Sequence, residues 1–344
     1  ITSCNMSNYH RLTYEDRVKI ETLLDQKKTK TEIAAYLNRS KSTITNELRK
    51  YTGFRYRAEY AHDCAQFIIG RRHEGNKIKG YPLLEYYVIL RVRQGWSPEQ
   101  ISQRLKEKQR LNKRMQVSHE SIYTYIYLKT KGELRKELIS HLRQAKGKRK
   151  RPTPRADRRT TIPDRVGIEH RPEEVEDRII PGHWESDLIV GKNSKSAIGT
   201  IVERTTRFVI MVKLPSKGAA DVRRAFAQEL KALPEHMRKT LTHDNGVEMC
   251  QHRLFSKETQ MQVYFANPYS PWERGTNENT NMLIRGFFPK GTDFNAIPSG
   301  KIKHVQDLLN SRPRKTLEWK TPNEVFNAMV LQGKAGIAYP RDVI

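Results

Sequence analysis

Cysteine is scarce in this chain. Cys4, Cys64 and Cys250 are the only three among 344 residues, and no two stand at Cys-x-x-Cys spacing. Neither a disulfide framework nor a zinc finger is therefore supported, and a reducing compartment is expected. Long apolar runs are missing as well. The longest, around Tyr86-Tyr87-Val88-Ile89-Leu90, falls far short of the roughly 20 residues that span a bilayer. With no signal-peptide pattern in the opening residues, no membrane role is expected. The chain opens on Ile1, which makes Met6 the expected natural start. Acidic residues are also few: Asp+Glu 38 against Lys+Arg 64 gives a formal charge of +26 and a pI near 10.0, which points to a polyanion, nucleic acid first. The shortage is uneven. Residues 1–160 carry 37 basic and 16 acidic side chains, a net +21, whereas residues 161–344 carry 27 and 22, a net +5.

What is present is enough for two or more domains, with hydrophobic residues at 36%. From Tyr14 to Tyr51 the apolar spacing is helical throughout, and TKTEIAAYLNRSKSTITNELRKY reads as helix, tight turn at Asn38-Arg39, and a helix capped by Ser40, the layout of a helix-turn-helix. A similar arrangement recurs from Gly80 to Arg143. A helix over Leu83–Arg93 leads to Ser97-Pro98, an N-cap followed by a first-turn proline, and Ser118 caps a helix containing Ile122, Tyr125 and Ile126. Residues 144–180 have linker composition, with a basic run followed by acids. From Gly182 the period changes to that of strands: HWESDLIV, SAIGTIVE and RFVIMVKL, a helix over 218–233, short strands TLTHD and QVYFAN, and a helix from about Gly275 to Phe288.

The expected fold class is thus multidomain: all-α helix-turn-helix domains followed by an α/β core of ribonuclease-H-like (integrase-type) order with a mixed five-stranded sheet. The expected boundaries are a first helix-turn-helix domain at 7–55, a linker at 56–79, a second helix-turn-helix-like domain at 80–143, a basic linker at 144–180, the α/β core at 181–295 and a C-terminal helical segment at 296–344. That last segment suits either packing on the core or contact between subunits.

Acids in the second half are the candidates for chemistry. Asp187 sits within a strand, on the face shared by His183, Glu185 and Ile189, where a carboxylate needs a partner or a cation. Asp244 ends a strand ahead of Asn245-Gly246, the place where open α/β sheets put their ligands. For a third acid Glu248, Glu273 and Glu278 compete. On a helix whose apolar side carries Leu283, Ile284, Phe287 and Phe288, Glu278 lies roughly opposite with Met282 and Arg285, free to face a site at the sheet edge. His183, His243 and His252 lack a metal-binding spacing and are read as supporting or polar-surface residues.

Asp187, Asp244 and Glu278, with 33 residues between the last two, resemble the DDE triad of transposases and retroviral-type integrases. HWESDLIVG, THDNGVE and NPYSPWERGTNENTN are similar to stretches of bacterial insertion-sequence transposases of the IS-thirty family. The likeness extends over nearly the whole chain, while the zinc module of retroviral integrases has no counterpart. It implies a DNA transposase that recognises terminal inverted repeats and carries out metal-dependent strand cleavage and strand transfer. The likeness further implies that water cleaves at the element's end and that the freed 3′-hydroxyl attacks target DNA. It also implies two Mg²⁺ or Mn²⁺ ions held by three carboxylates, with Asp187 bridging and Asp244 and Glu278 each completing one ion. A homodimer or higher homo-oligomer that synapses two ends, and the cytoplasm and nucleoid of a prokaryotic host, follow from the same likeness.

Double-stranded DNA is the expected partner. In the first module Lys41, Ser42, Thr43, Asn46, Arg49 and Lys50 are the expected contacts; in the second, His119, Tyr123 and Thr124, with Glu120 beside them. Lys148, Arg149, Lys150 and Arg151 suit phosphate contact in a linker crossing DNA, and Asn245 and Arg285, with Arg274 and Lys290 behind them, suit contact near the scissile phosphate. The alternatives are a catalytically lapsed DNA-binding regulator, which ought to lack one of the three acids, and a structure-specific ribonuclease-H-like nuclease such as a junction resolvase, which has less need of two sequence-reading modules.

Overall fold

The computed structural model describes residues 11–51, 55–68, 77–142, 162–194, 196–268 and 270–335. Two compact units lie within residues 1–149 and 150–344. The basic run of Lys148, Arg149, Lys150 and Arg151, and the start at Met6, fall outside the described residues.

The first unit is helical, and its helices begin where side chains satisfy the leading backbone N–H groups. Thr13 and Asp16 form a reciprocal capping box at the start of α1 (Tyr14–Asp25), and Thr29 and Glu32 form another at α2 (Lys30–Tyr36). Asn38 takes a positive φ of 48°, which turns the chain sharply. Ser40 then caps α3 (Lys41–Arg49) by accepting from the Thr43 N–H at 3.2 Å. The expected helix-turn-helix is formed. A buried pair, Arg17 Nε to Glu47 Oε1 at 2.8 Å, ties α1 to α3.

The linker expected at 56–79 is instead structured over much of its length. Ala58–Ile68 form α4, which packs against α1 and against α5 (Pro82–Arg93). Its Ala61 and Cys64 are fully buried, at an apolar spacing too short for the sequence reading to separate from a loop. The second module follows with α6 (Pro98–Lys108), where Ser97 and Gln100 form a capping box, and α7 (His119–Thr124), capped by Ser118. Tyr125–Lys129 then make a π-helical turn where the sequence predicts an uninterrupted helix, and α8 (Gly132–Ser140) follows. Buried Tyr125 donates to Glu85 Oε1 at 2.5 Å, which gives the wider turn an anchor on α5. One apolar core runs through both modules, from Ile20, Ile33 and Ile44 through Tyr51 and Cys64 to Leu84, Val88, Leu105 and Ile122.

In the second unit a short helix α9 (Glu174–Asp177) precedes β1 (His183–Val190), β2 (Ala197–Glu203) and β3 (Val209–Leu214), then α10 (Ala219–Lys231), β4 (Thr240–His243), α11 (His252–Thr259) and β5 (Gln262–Phe265). A 3₁₀ turn at Pro271–Arg274 enters α12 (Gly275–Ile284), and α13 (Ser299–Asn310) and α14 (Pro322–Lys334) follow. The sheet order is β3-β2-β1-β4-β5, with β1, β2 and β3 antiparallel and β1, β4 and β5 parallel, the expected mixed five-stranded sheet. α12 ends at Ile284, short of the expected Phe288. One sheet face packs Trp184, Ile201 and Leu241 against Phe226 and Phe255 of α10 and α11; the other packs Ile198, Val202 and Val209 against Ile284, Val305 and Leu309 of α12 and α13.

The C-terminal segment packs on the core. β3 is an edge strand, and α13 covers its unpaired backbone: Val209 N–H donates to Asn310 Oδ1 at 2.9 Å, Asn310 Nδ2 returns a bond to Val209 O at 2.8 Å, and Met211 N–H donates to Gln306 Oε1 at 2.8 Å. Phe326 of α14 stacks on Phe208 with centroids 4.1 Å apart. Among the described residues no helix is long and apolar enough to cross a membrane.

Candidate active site

Strand register brings the two aspartates together. β1 and β4 run parallel with His183 beside Thr240, Trp184 beside Leu241 and Glu185 beside Thr242. Beyond these pairs the Ser186 hydroxyl lies 2.8 Å from His243 Nδ1, and the chain continues on each side into Asp187 and Asp244. Arg274, at the entrance to α12, spans them: its Nη1 is 3.8 Å from Asp187 Oδ1 and its Nη2 is 3.6 Å from Asp244 Oδ2. Nη1 also donates to Ser186 O at 3.0 Å. Burial pushes the Asp187 carboxyl above the usual carboxylate range and the charge of Asp244 adds to this, with Arg274 opposing. The strand face that holds Asp187 therefore calls for positive charge.

α12 is fastened to this face by polar groups. Glu185, fully buried on β1 two residues before Asp187, accepts from the Asn277 N–H in the first turn of α12 at 2.8 Å and from Arg204 Nη1 at 2.7 Å. Asn277 Nδ2 donates to Glu185 O at 2.9 Å. One turn on, Asn281 Nδ2 donates to Asp187 Oδ2 at 2.8 Å, while the Thr200 hydroxyl of β2 reaches Asn281 Oδ1 at 3.0 Å. The Leu188 N–H holds the other Asp187 oxygen at 2.8 Å. The buried side of this helix's first half is thus Thr276, Asn277 and Thr280 rather than the apolar side read from Leu283 onward.

Glu278 lies on α12 one turn before Asn281, exposed, with no hydrogen bond or ion pair to either aspartate. The structure brings Asp187, Asp244, Arg274 and Asn281 together and leaves Glu278 on the exposed side of the helix that carries Asn281. Arg285 donates through Nη2 to Val190 O at 2.8 Å, bracing the end of β1. Asn245 is engaged at both ends of its amide, donating to Ala266 O at 2.7 Å and accepting from Arg165 Nη1 at 2.6 Å. His183, His243 and His252 are all buried, which removes the polar-surface alternative and leaves the reading as supporting residues. Burial and Lys239 lower His183 to about 4.

A second group adjoins the aspartates. Ligand atoms of His243, Asp244 and Glu248 lie within 4.8 Å of one another. His243 Nε2 is buried, lies 3.1 Å from Asp244 Oδ1, and has no hydrogen-bond partner among the described residues. Burial alone would raise Glu248, but His243 facing it outweighs that and holds its carboxyl below the usual range. Two hard carboxylates and a buried imidazole nitrogen without a hydrogen-bond partner form a donor set that fits a divalent cation. Glu185, Asn277 and Asn281 were missed in the sequence; the i, i+4 spacing of two asparagines on a helix facing a strand carboxylate was the available signal.

In the recognition unit Lys41, Ser42, Asn46, Arg49 and Lys50 are exposed on α3 and Thr43 is half-buried; Lys50 Nζ contacts Glu47 Oε2 at 2.8 Å. On α7, His119 and Thr124 are exposed and Tyr123 is half-buried.

Comparison with known proteins agrees with both units. Residues 8–50 match a helix-turn-helix domain family and residues 178–271 an integrase core domain family, a class that implies divalent-metal use. The chain is 41% identical over 322 residues to a transposase for insertion sequence element IS1086 of Cupriavidus metallidurans, covering 93% of this chain and 95% of that one. It is 38% identical over 319 residues to the transposase InsI for insertion sequence element IS30A of Escherichia coli, covering 92% and 83%. To a transposase for insertion sequence element IS4351 of Bacteroides fragilis it is 37% identical over 331 residues, covering 95% and 98%. With a helix-turn-helix unit, an integrase core and this end-to-end similarity, the chain belongs to the IS-thirty family of insertion-sequence transposases.

Proposed function

We propose that this transposase binds the terminal inverted repeats of its insertion sequence through the helical unit and carries out strand cleavage and strand transfer at the face of β1 that holds Asp187. The observation that carries the reading is the pair Asp187, on β1, and Asp244, just past the end of the adjacent parallel strand β4, with a cationic side chain spanning them. Asp187 and Asp244 are the residues on this face that would hold Mg²⁺ or Mn²⁺, two ions per site; Glu278, exposed on α12, is assigned as the third ligand by the likeness to the DDE triad alone. Bound there, the ions supply Lewis-acid activation of the attacking oxygen and neutralisation of the leaving one. The chain's own groups set up the rest: Asn281 and the Leu188 N–H fix the orientation of the Asp187 carboxylate, and Arg274 is placed to exchange its carboxylate partners for a phosphate oxygen. Two element ends require a homodimer or higher assembly.

Incubating the purified protein with a labelled element end and target DNA in Mg²⁺ or Mn²⁺ tests the reading. Cleaved ends and joined products are expected; binding without cleavage would favour a regulator, and cleavage of branched DNA without joining would favour a resolvase.

Recognition is tested separately. Alanine at Ser42, Thr43 and Asn46 is expected to weaken binding to the inverted repeat by about 1–3 kcal/mol for each base edge that is no longer read, with a smaller effect on random duplex. Equal weakening on both, in a gel-shift or anisotropy titration, would assign these residues to the DNA backbone instead.

A further inference from the structure

Two helix-turn-helix modules in one chain can be tethered readers, each finding its own site, or one rigid reader. Tethered readers need a pliable connection that touches little else. Here the described part of the connection is dominated by α4, which is held on both sides. On the first module, Glu21 accepts from the Ala58 N–H at 2.7 Å and from Arg57 Nη1 at 3.1 Å, and Tyr51 meets Tyr60 edge-on at 6.0 Å. On the second, Tyr60 meets Tyr86 edge-on at 5.3 Å and the Tyr86 hydroxyl donates to Asp63 at 3.1 Å. The apolar core is continuous across all three parts, so rotating one module against the other would break a close-packed interior.

The surface between the modules carries a groove of about 750 Å³. Its cations come from both sides: Arg49 and Lys50 from the end of α3, Arg114 from the loop joining α6 to α7. Asn46, one of the expected base-reading residues, opens into it, Asn112 adds an amide, and among the described residues no carboxylate lines it. Leu111 stands at the rim, 95% exposed. A groove lined by cations and amides, continuous with a recognition helix, suits a phosphodiester backbone.

We propose that the two modules read a single stretch of duplex DNA as one rigid body, with the phosphates that join their two contacts lying in the Arg49–Lys50–Arg114 groove. This rests on the reading that α3 contacts DNA. The spacing between the two contacted segments is then set by the protein, and neither module can follow its segment when the DNA is lengthened.

The test uses the full-length protein without divalent metal and a duplex selected from a randomised library. Hydroxyl-radical footprinting is expected to give two protected segments on one site. Inserting about 5 bp, half a helical turn, or about 10 bp, a full turn, between them is expected to remove protection from one segment and lower affinity by about a hundredfold, the gain that linked contacts provide. Protection of both segments at undiminished affinity after either insertion would overturn the proposal, because only a flexible tether allows it; so would a single protected segment. Arg114→Ala is expected to lower the salt dependence of binding by about one counterion, and an unchanged slope would remove the groove from the DNA interface. If no sequence is selected at all, the assignment of α3 as a reader fails and the proposal falls with it, an outcome distinct from selection with insertion tolerance.

Discussion

Asp187→Asn is expected to lower strand cleavage and strand transfer by roughly a thousandfold or more, about 4 kcal/mol of transition-state stabilisation, while leaving binding to the element's end intact. The amide keeps the shape of the carboxylate but offers a single neutral oxygen, a much weaker ligand for a divalent cation. Stability provides a second readout whose sign follows from the site. Burial and Asp244 raise the Asp187 carboxyl in the folded chain above its unfolded value. The stability contributed by that group is therefore complete at pH below the unfolded value and is lost as pH rises through the folded one. Thermal unfolding of the metal-free wild type is expected to show this loss on leaving the carboxylate range, and Asp187→Asn is expected to lack it. Mg²⁺ is expected to raise the melting temperature of the wild type and not of the variant.

The second large effect concerns Glu185. Removing its carboxyl with Glu185→Ala leaves Arg204, whose side chain is 2% exposed, without its closest anionic partner, and leaves the Asn277 N–H at the start of α12 without an acceptor. Breaking a buried pair from one side costs about 3–5 kcal/mol, and the melting temperature of the catalytic unit is expected to fall by roughly 10 °C. Glu185→Gln retains an acceptor for Asn277 and is expected to lose less stability. If α12 is positioned through Glu185, this milder variant still transfers strands more slowly at temperatures where it is fully folded. A folded Glu185→Gln with wild-type transfer would make Glu185 a purely structural residue.

The sequence carried the parts of the fold that rest on local chemistry. Ser40, Ser97 and Ser118 cap helices where N-cap residues precede apolar periods, and β1, β2 and β3 follow runs of Ile and Val. It did not carry α4, because Ala61 and Cys64 are small and their burial depends on α4 packing against α1 and α5. The inward face of α12 differs from the sequence reading for a related reason. Apolar periodicity marks Leu283 to Phe288, but the half of the helix that meets the aspartates docks through Asn277 and Asn281, which become legible only once β1 lies beneath them. The pairing of Asp187 with Asp244 is anticipated by motif and spacing, and the parallel register of β1 and β4 gives its physical basis. Arg274 stands among the weaker DNA contacts in the sequence, since nothing local to Glu273-Arg274-Gly275 announces two carboxylates separated from it by 86 and 29 residues.

The charge imbalance takes on a clearer meaning from the two units. The basic excess is shared between the helical modules and the basic run that follows them, as expected of a part that binds a polyanion. The near balance of residues 161–344 reflects carboxylates set against arginines in pairs such as Glu185 with Arg204 and Asp187 with Arg274.

The central claim is that Asp244 and its partners on this face hold the metal that drives transfer. It is tested most directly by single-turnover strand transfer with Asp244→Cys in Mg²⁺ and then in Mn²⁺, on protein shown to be folded and bound to the element's end. A thiolate is a poor ligand for Mg²⁺ and a better one for the softer ion. The account predicts no joined product in Mg²⁺ and measurable product in Mn²⁺; transfer at the wild-type rate in Mg²⁺ would contradict it.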